Sequence, residues 1–315
     1  MNDRTQARSG GGRRWPALGL VGLVAMVVVA AVVLRDDGGG TPRGAATDGE
    51  VSGFNPSLET GLVIGDAARL PEGGVARVNG VRLDAPLAAG LPAPEPGMTL
   101  VRLDVELCAG AAGLFVDAAF WVGLGDDGGA HSAHLGVRDL VTLTLAPGSC
   151  QRGAVDLAVP EGVDLQGVLL IDTTESTVAR WTAGGQGERQ SGELPPLRSE
   201  VEAEAIPVGS PADLVTGGTA TLHAVAIEGT AAVLDGEVCA GDAEILTGPR
   251  YWHVQLGDHR IVPARRDGAA EAAATLAPAT CTRMSVEFTV PAGAPIAAAL
   301  YATDGLFEDA RWSVE

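Results

Sequence analysis

Val101-Arg102-Leu103-Asp104-Val105-Glu106-Leu107-Cys108-Ala109-Gly110 alternates apolar and charged residues, then ends on a cysteine and two small residues. That period belongs to a β-strand with one face buried and the other turned away from the core. The end of the stretch returns as Gly236-Glu237-Val238-Cys239-Ala240-Gly241, 131 positions later. Cys150 and Cys281, Pro160 and Pro291, and Trp181 and Trp312 keep the same spacing of 131. The chain therefore holds two copies of one domain-sized unit, longer than the 20 to 50 residues of a solenoid repeat. Upstream of the first cysteine the best match, Ala76 to Asp84 against Ala220 to Glu228, has an offset of 144. The first copy accordingly carries a longer loop over 84–98, rich in Pro, Ala and Gly.

Other segments read as strands by the same alternation. Val155, Leu157 and Val159 precede Pro160, while Val286, Phe288 and Val290 precede Pro291. Closely spaced strands broken by Gly, Pro and Asp turns point to β-sandwiches. Near the middle of each copy, Phe120, Val122 and Leu124 align in register with Trp252, Val254 and Leu256, as if one residue had been inserted. On that reading Trp121 points away from the core and marks a contact surface.

Four cysteines, one pair per copy, allow three connectivities. A unit duplicated whole carries its own cross-link, which selects Cys108–Cys150 and Cys239–Cys281. In the chain-entropy model each loop of about 43 residues is worth roughly 4 kcal/mol. By strand parity Cys108 lies on the face opposite Leu103, Val105 and Leu107, so the bridge is expected to tie a strand end to the turn at Pro147. That differs from the antibody arrangement, in which the bridge crosses the middle of the core.

The amino terminus indicates location. Pro16 to Leu34 is uncharged, between Arg13-Arg14 and Arg35-Asp36-Asp37. At about 1.5 Å per residue it spans roughly 28 Å, enough to cross a bilayer. Residues 1–35 carry five Arg and one Asp, a sum of +4, which leaves −23 of the net −19 for the remainder. The positive-inside rule then places the tail in the cytoplasm and the acidic remainder outside, in a compartment that permits disulfides. A cleaved signal peptide is the competing reading, but no small-x-small cleavage site or lipobox cysteine follows the apolar run. The resulting plan is all-β after one transmembrane helix: tail 1–14, anchor 15–35, stalk 36–72, sandwich 73–183, linker 184–217 and sandwich 218–315.

The order of strand, Cys-Ala-Gly turn, aromatic strand ending in Leu-Gly-Asp, Leu145-Ala146-Pro147-Gly148 turn, strand ending in Val-Pro and closing Trp strand resembles a known family. It is similar to the telokin-like, immunoglobulin-like extracytoplasmic domains of Gram-positive and actinobacterial envelope proteins. The resemblance covers roughly 73–183 and 218–315 and implies tandem immunoglobulin-like sandwiches. It brings no catalytic residues, and the second copy departs from the pattern with Ala279-Thr280 after its Pro278.

Chemistry-bearing motifs are sparse. Gly123 to Gly128 matches G-x-G-x-x-G, but no helix follows to hold a pyrophosphate, so a hairpin turn is expected. His131 and His134 form H-x-x-H beside Asp126 and Asp127, a candidate interaction loop that reads more simply as a solvated turn than as a metal site. No G-x-S-x-G or H-E-x-x-H occurs. A chain this acidic is repelled by nucleic acid. The expectation is a non-enzymatic membrane-anchored protein, without cofactor or metal, that meets an envelope or protein partner. The alternatives are a small-ligand or divalent-cation binding domain, or an accessory subunit of an envelope complex. Its candidate surface residues are Trp121, His131 and His134.

Overall fold

The alternation from Val101 to Leu107 becomes the strand Met98–Cys108, flanked antiparallel by Val75–Arg82 and Cys150–Pro160. Ala67–Arg69 completes a four-stranded sheet. This computed structural model describes residues 61–315 apart from 88–92, 135–139, 184–193, 266–272, 304–306 and 315. Among the described residues the chain is all-β, with several sheets, three short 3-10 turns and no α-helix. The expected anchor and tail, and most of the stalk, lie outside the described residues. Among the described residues no helix is long and apolar enough to cross a membrane.

A second sheet of the first copy runs Leu62–Val63, Thr177–Thr182, Leu165–Ile171, Trp121–Gly125 and Ala130–Ser132 in spatial order. Leu103, Val105, Val155 and Leu157 from the first sheet share one buried cluster with Trp121, Val168 and Trp181 from the second. The second copy repeats this plan. Pro211–Asp213, Thr219–Glu228, Ala231–Cys239 and Cys281–Thr289 form its four-stranded sheet. Opposite lie Ile261–Pro263, Trp252–Leu256, Ile296–Thr303 and Phe307–Ser313, and Leu222, Leu234, Phe288, Trp252 and Trp312 fill the core.

The repeat extends to small details. The indole N–H of Trp181 donates to the Asp66 carbonyl and that of Trp312 to the Ser210 carbonyl, both at 2.9 Å. Each closing tryptophan thus pins the turn after the copy's first short strand, Leu62–Val63 or Ile206–Pro207. Those strands fall within the stretches read as stalk and linker, so the ordered copies begin earlier than 73 and 218. At two residues each, they are too short to show alternation.

Both cysteine pairs are bridged within their own copy, between directly opposed residues at the end of a strand ladder. The bridge therefore joins neighbouring strands of one sheet, with Cα atoms 4.0 Å apart in both copies.

Trp121 corrects the expectation of an outward ring. It is fully buried, and its ring lies 5.8 Å from that of Trp181, as Trp252 lies 5.5 Å from Trp312. No residue has been inserted: Trp121–Gly125 and Trp252–Leu256 occupy equivalent places, each after a 3-10 turn. The alternation misleads because the first copy turns Gly123 and Gly125 inward and leaves Val122 and Leu124 half-buried. Leu157 and Leu165 fill the space over Gly123, where an added Cβ would lie 2.8 and 2.7 Å from their methyl groups. The second copy uses Val254 and Leu256 at these inward positions.

Candidate functional site

The parity that sends Leu103, Val105 and Leu107 into the core sends Asp104, Glu106 and Cys108 to the opposite face. A carboxylate there is ordinarily solvated, yet Glu106 is fully buried. Two elements cover it: residues 194–201, between the copies, and the second copy's turn after Leu256. Glu106 Oε2 accepts from Arg77 Nη2 at 2.7 Å. Its Oε1 accepts the Leu197 N–H at 2.9 Å and the His259 Nδ1–H at 2.8 Å. Arg77 in turn donates to the Pro195 carbonyl and to Asn79 Oδ1, at 2.7 and 2.6 Å. Burial pushes the Glu106 pKa up, but the hydrogen bonds from His259, Leu197 and Arg77 outweigh it and hold the carboxyl below its ordinary value.

The surrounding contacts join the two copies directly. His259 lies in the left-handed region, with φ 69, and its carbonyl accepts the Arg152 N–H at 2.9 Å. Gln255 Nε2 donates to the Cys150 carbonyl, while its Oε1 accepts from Arg311 at 2.6 Å. Glu308 accepts from Ser149 Oγ at 2.9 Å and from the Ala146 N–H at 3.3 Å. Thr144 pairs with Phe307, so the first copy's strands Leu114–Val116 and Leu143–Leu145 extend the second copy's sheet. Ile261, Ala298, Leu300 and Ala302 of the second copy belong to the first copy's hydrophobic cluster. From 61 onward the described residues accordingly form one compact unit.

The connecting segment is part of this junction. Leu197 packs on the Cys108–Cys150 bridge, and Ser199 Oγ donates to the Ala109 carbonyl at 2.6 Å. Gly148 has φ 80, and a Cβ on it would lie 2.4 Å from the Ala203 nitrogen. The matching residue of the second copy is Ala279, also at positive φ (57). The requirement for glycine is thus set by the segment passing over it as well as by the turn.

A second feature belongs to the first copy. A cavity of about 300 Å³ is lined by buried Leu107, Val116, Trp121 and Leu170 and reaches outward to Phe115, Phe120 and Asp172. Phe120 is half-buried and meets Phe115 edge-on, with ring centroids 5.7 Å apart. Two carboxylates lie at the mouth. Asp117 accepts from the Ala119 N–H at 2.8 Å and from Thr142 Oγ1 at 3.1 Å. Asp172 accepts from Thr174 Oγ1, the Thr174 N–H and the Ser176 N–H, and these bonds, led by the Thr174 hydroxyl, hold its pKa below the ordinary value.

The expected interaction residues do not come together as one surface. Trp121 backs the cavity from the core. His131, nearly buried, pairs across the hairpin with Gly123 and has Nε2 3.5 Å from Asp127 Oδ1. His134 is half-buried, and its N–H donates to the Asp156 carbonyl at 2.7 Å. The G-x-G-x-x-G stretch forms the hairpin turn between Trp121–Gly125 and Ala130–Ser132. Among the described residues, the groups close enough to chelate an ion are Cys108, Cys150 and His259, and Glu237, Cys239 and Cys281. Their sulfurs are committed to disulfides, so they are not thiolate ligands. No motif or spacing in the sequence marks the junction residues Arg77, Gln255, His259 and Glu308 as a site. One available signal was that Arg77 has Thr221 as its counterpart, a difference between otherwise matching strands. Comparison of the chain with protein-family models, curated proteins and solved structures finds no match.

Proposed function

We propose that the chain is a non-enzymatic, membrane-anchored extracytoplasmic protein that presents two immunoglobulin-like β-sandwiches as one rigid recognition unit for an envelope or protein partner. The apolar segment Pro16 to Leu34 supports the anchor, and the paired cysteines support an oxidising compartment. The observation that carries the reading is the buried Glu106 junction. Sequestering ionic groups from water is costly, and removing one partner of such a set is strongly destabilising, so the network specifies one orientation of the copies. A flexible spacer needs no such device, whereas a composite surface spanning two modules does.

The test is photocrosslinking in intact cells from the exposed positions Leu83 and Val215, one in each copy, followed by identification of the attached molecule. A recurrent adduct with one envelope component, lost when residues 194–201 are replaced by a Gly-Ser linker, supports the proposal. No adduct above background from either position contradicts partner recognition.

A further inference from the structure

The duplication supplies its own control for the cavity beside Trp121. Where the first copy has Val116, Phe120 and Leu170, the second has Thr247, Tyr251 and Tyr301. Tyr301 packs edge-on against Trp252 with centroids 5.0 Å apart, and its hydroxyl donates to Thr247 Oγ1 at 3.3 Å. Tyr251 is fully buried beside it, with centroids 6.2 Å apart. In the first copy, Leu170 supplies no ring and Phe120 lies against Phe115, leaving about 300 Å³ next to Trp121.

Protein interiors are close-packed, and a dry apolar cavity of roughly 150 Å³ is already enough to hold benzene. The Trp121 indole N–H has no acceptor among the described residues, and neither has that of Trp252. That orphan donor is therefore common to both copies, and the missing tyrosine ring is what sets the first apart. We infer that the first repeat binds a small neutral aromatic molecule against Trp121, in the place that Tyr301 fills in the second. Asp117 and Asp172 at the mouth disfavour an anionic ligand. This binding is separate from partner recognition, because it uses the interior of one copy and not the composite surface.

The test is calorimetric titration of the full chain with p-cresol, the free side chain of tyrosine, and with p-hydroxybenzoate as its anionic counterpart. Saturable one-site binding of p-cresol is expected, with p-hydroxybenzoate at least tenfold weaker. L170Y, which restores the second copy's residue, is expected to weaken p-cresol at least tenfold while still melting cooperatively; L170F serves the same purpose if the tyrosine does not fold. The inference is overturned by no saturable p-cresol binding to the unmodified chain, by equal binding to the filled variant, or by equal binding of the anion.

Discussion

Glu106 and Glu237 stand at the same place in the two copies, each two residues before a bridged cysteine, yet they live in different environments. Glu106 is buried with three hydrogen-bond donors from three separate segments. Glu237 is half-exposed, with His223 3.7 Å away. The scaffold is shared to the level of strand register, so the difference comes from what covers it. One copy's outer sheet face has become an interior, and the other's remains a surface. An arrangement of this kind is heterologous: unlike patches meet, so one acceptor face is covered and its equivalent stays open.

The largest effect should come from breaking this asymmetry at its centre. E106A leaves Arg77 and the His259 side chain without their buried partner and should cost about 3–5 kcal/mol, whereas E237A should cost about 1 kcal/mol or less. Urea unfolding of the two variants checks this, and similar costs would remove the distinction between the faces. The next effect concerns the turns. G148A drives a Cβ into the backbone of residues 202–203 and should destabilise by about 1–3 kcal/mol, while A279G should change little because φ is already positive there. Melting temperatures that shift equally would show that residues 201–203 do not press on Gly148.

Acid sharpens the comparison further. Because Glu106 is held below its ordinary pKa, its contribution is in full above the unfolded value of about 4.3 and is lost as pH falls through its lower folded value. The urea midpoint should therefore drop below about pH 4, and E106Q should flatten that drop. The smallest effect in free energy is one of access. Cys281 is exposed, whereas Cys108 and Cys150 are buried beneath Leu197. Brief mild reduction followed by alkylation and peptide mapping should label Cys239 and Cys281 first; earlier labelling of Cys108 and Cys150 would mean that the junction opens readily.

Much of the scaffold was legible from residues alone. Alternation at Val101 to Leu107 marked a strand, and the 131-residue repeat selected both disulfides. The alternation misplaces Trp121 because glycine at 123 lets the core be filled from Leu157 and Leu165 instead of from the strand itself. The junction was less visible for a different reason. Glu106 and Glu237 are the same residue in the same motif, and pairwise identity cannot report that a third element covers only one of them. Differences between the copies were informative where they replaced a partner: Arg77 for Thr221, Gly148 for Ala279 and Leu170 for Tyr301 each mark a place where the copies meet different surroundings. The departure at Ala279-Thr280, apparent as an irregularity of the turn, follows from the connecting segment lying over Gly148 alone.

The central claim is that two copies of one unit are locked in a single orientation through the covered face of the first. Residual dipolar couplings measured on amides of both copies test it most directly. Couplings from Met98–Cys108 and Cys150–Pro160 together with those from Ala231–Cys239 and Ile296–Thr303 should fit one alignment tensor. Two tensors of different magnitude or orientation, one per copy, would show independent modules and contradict the account.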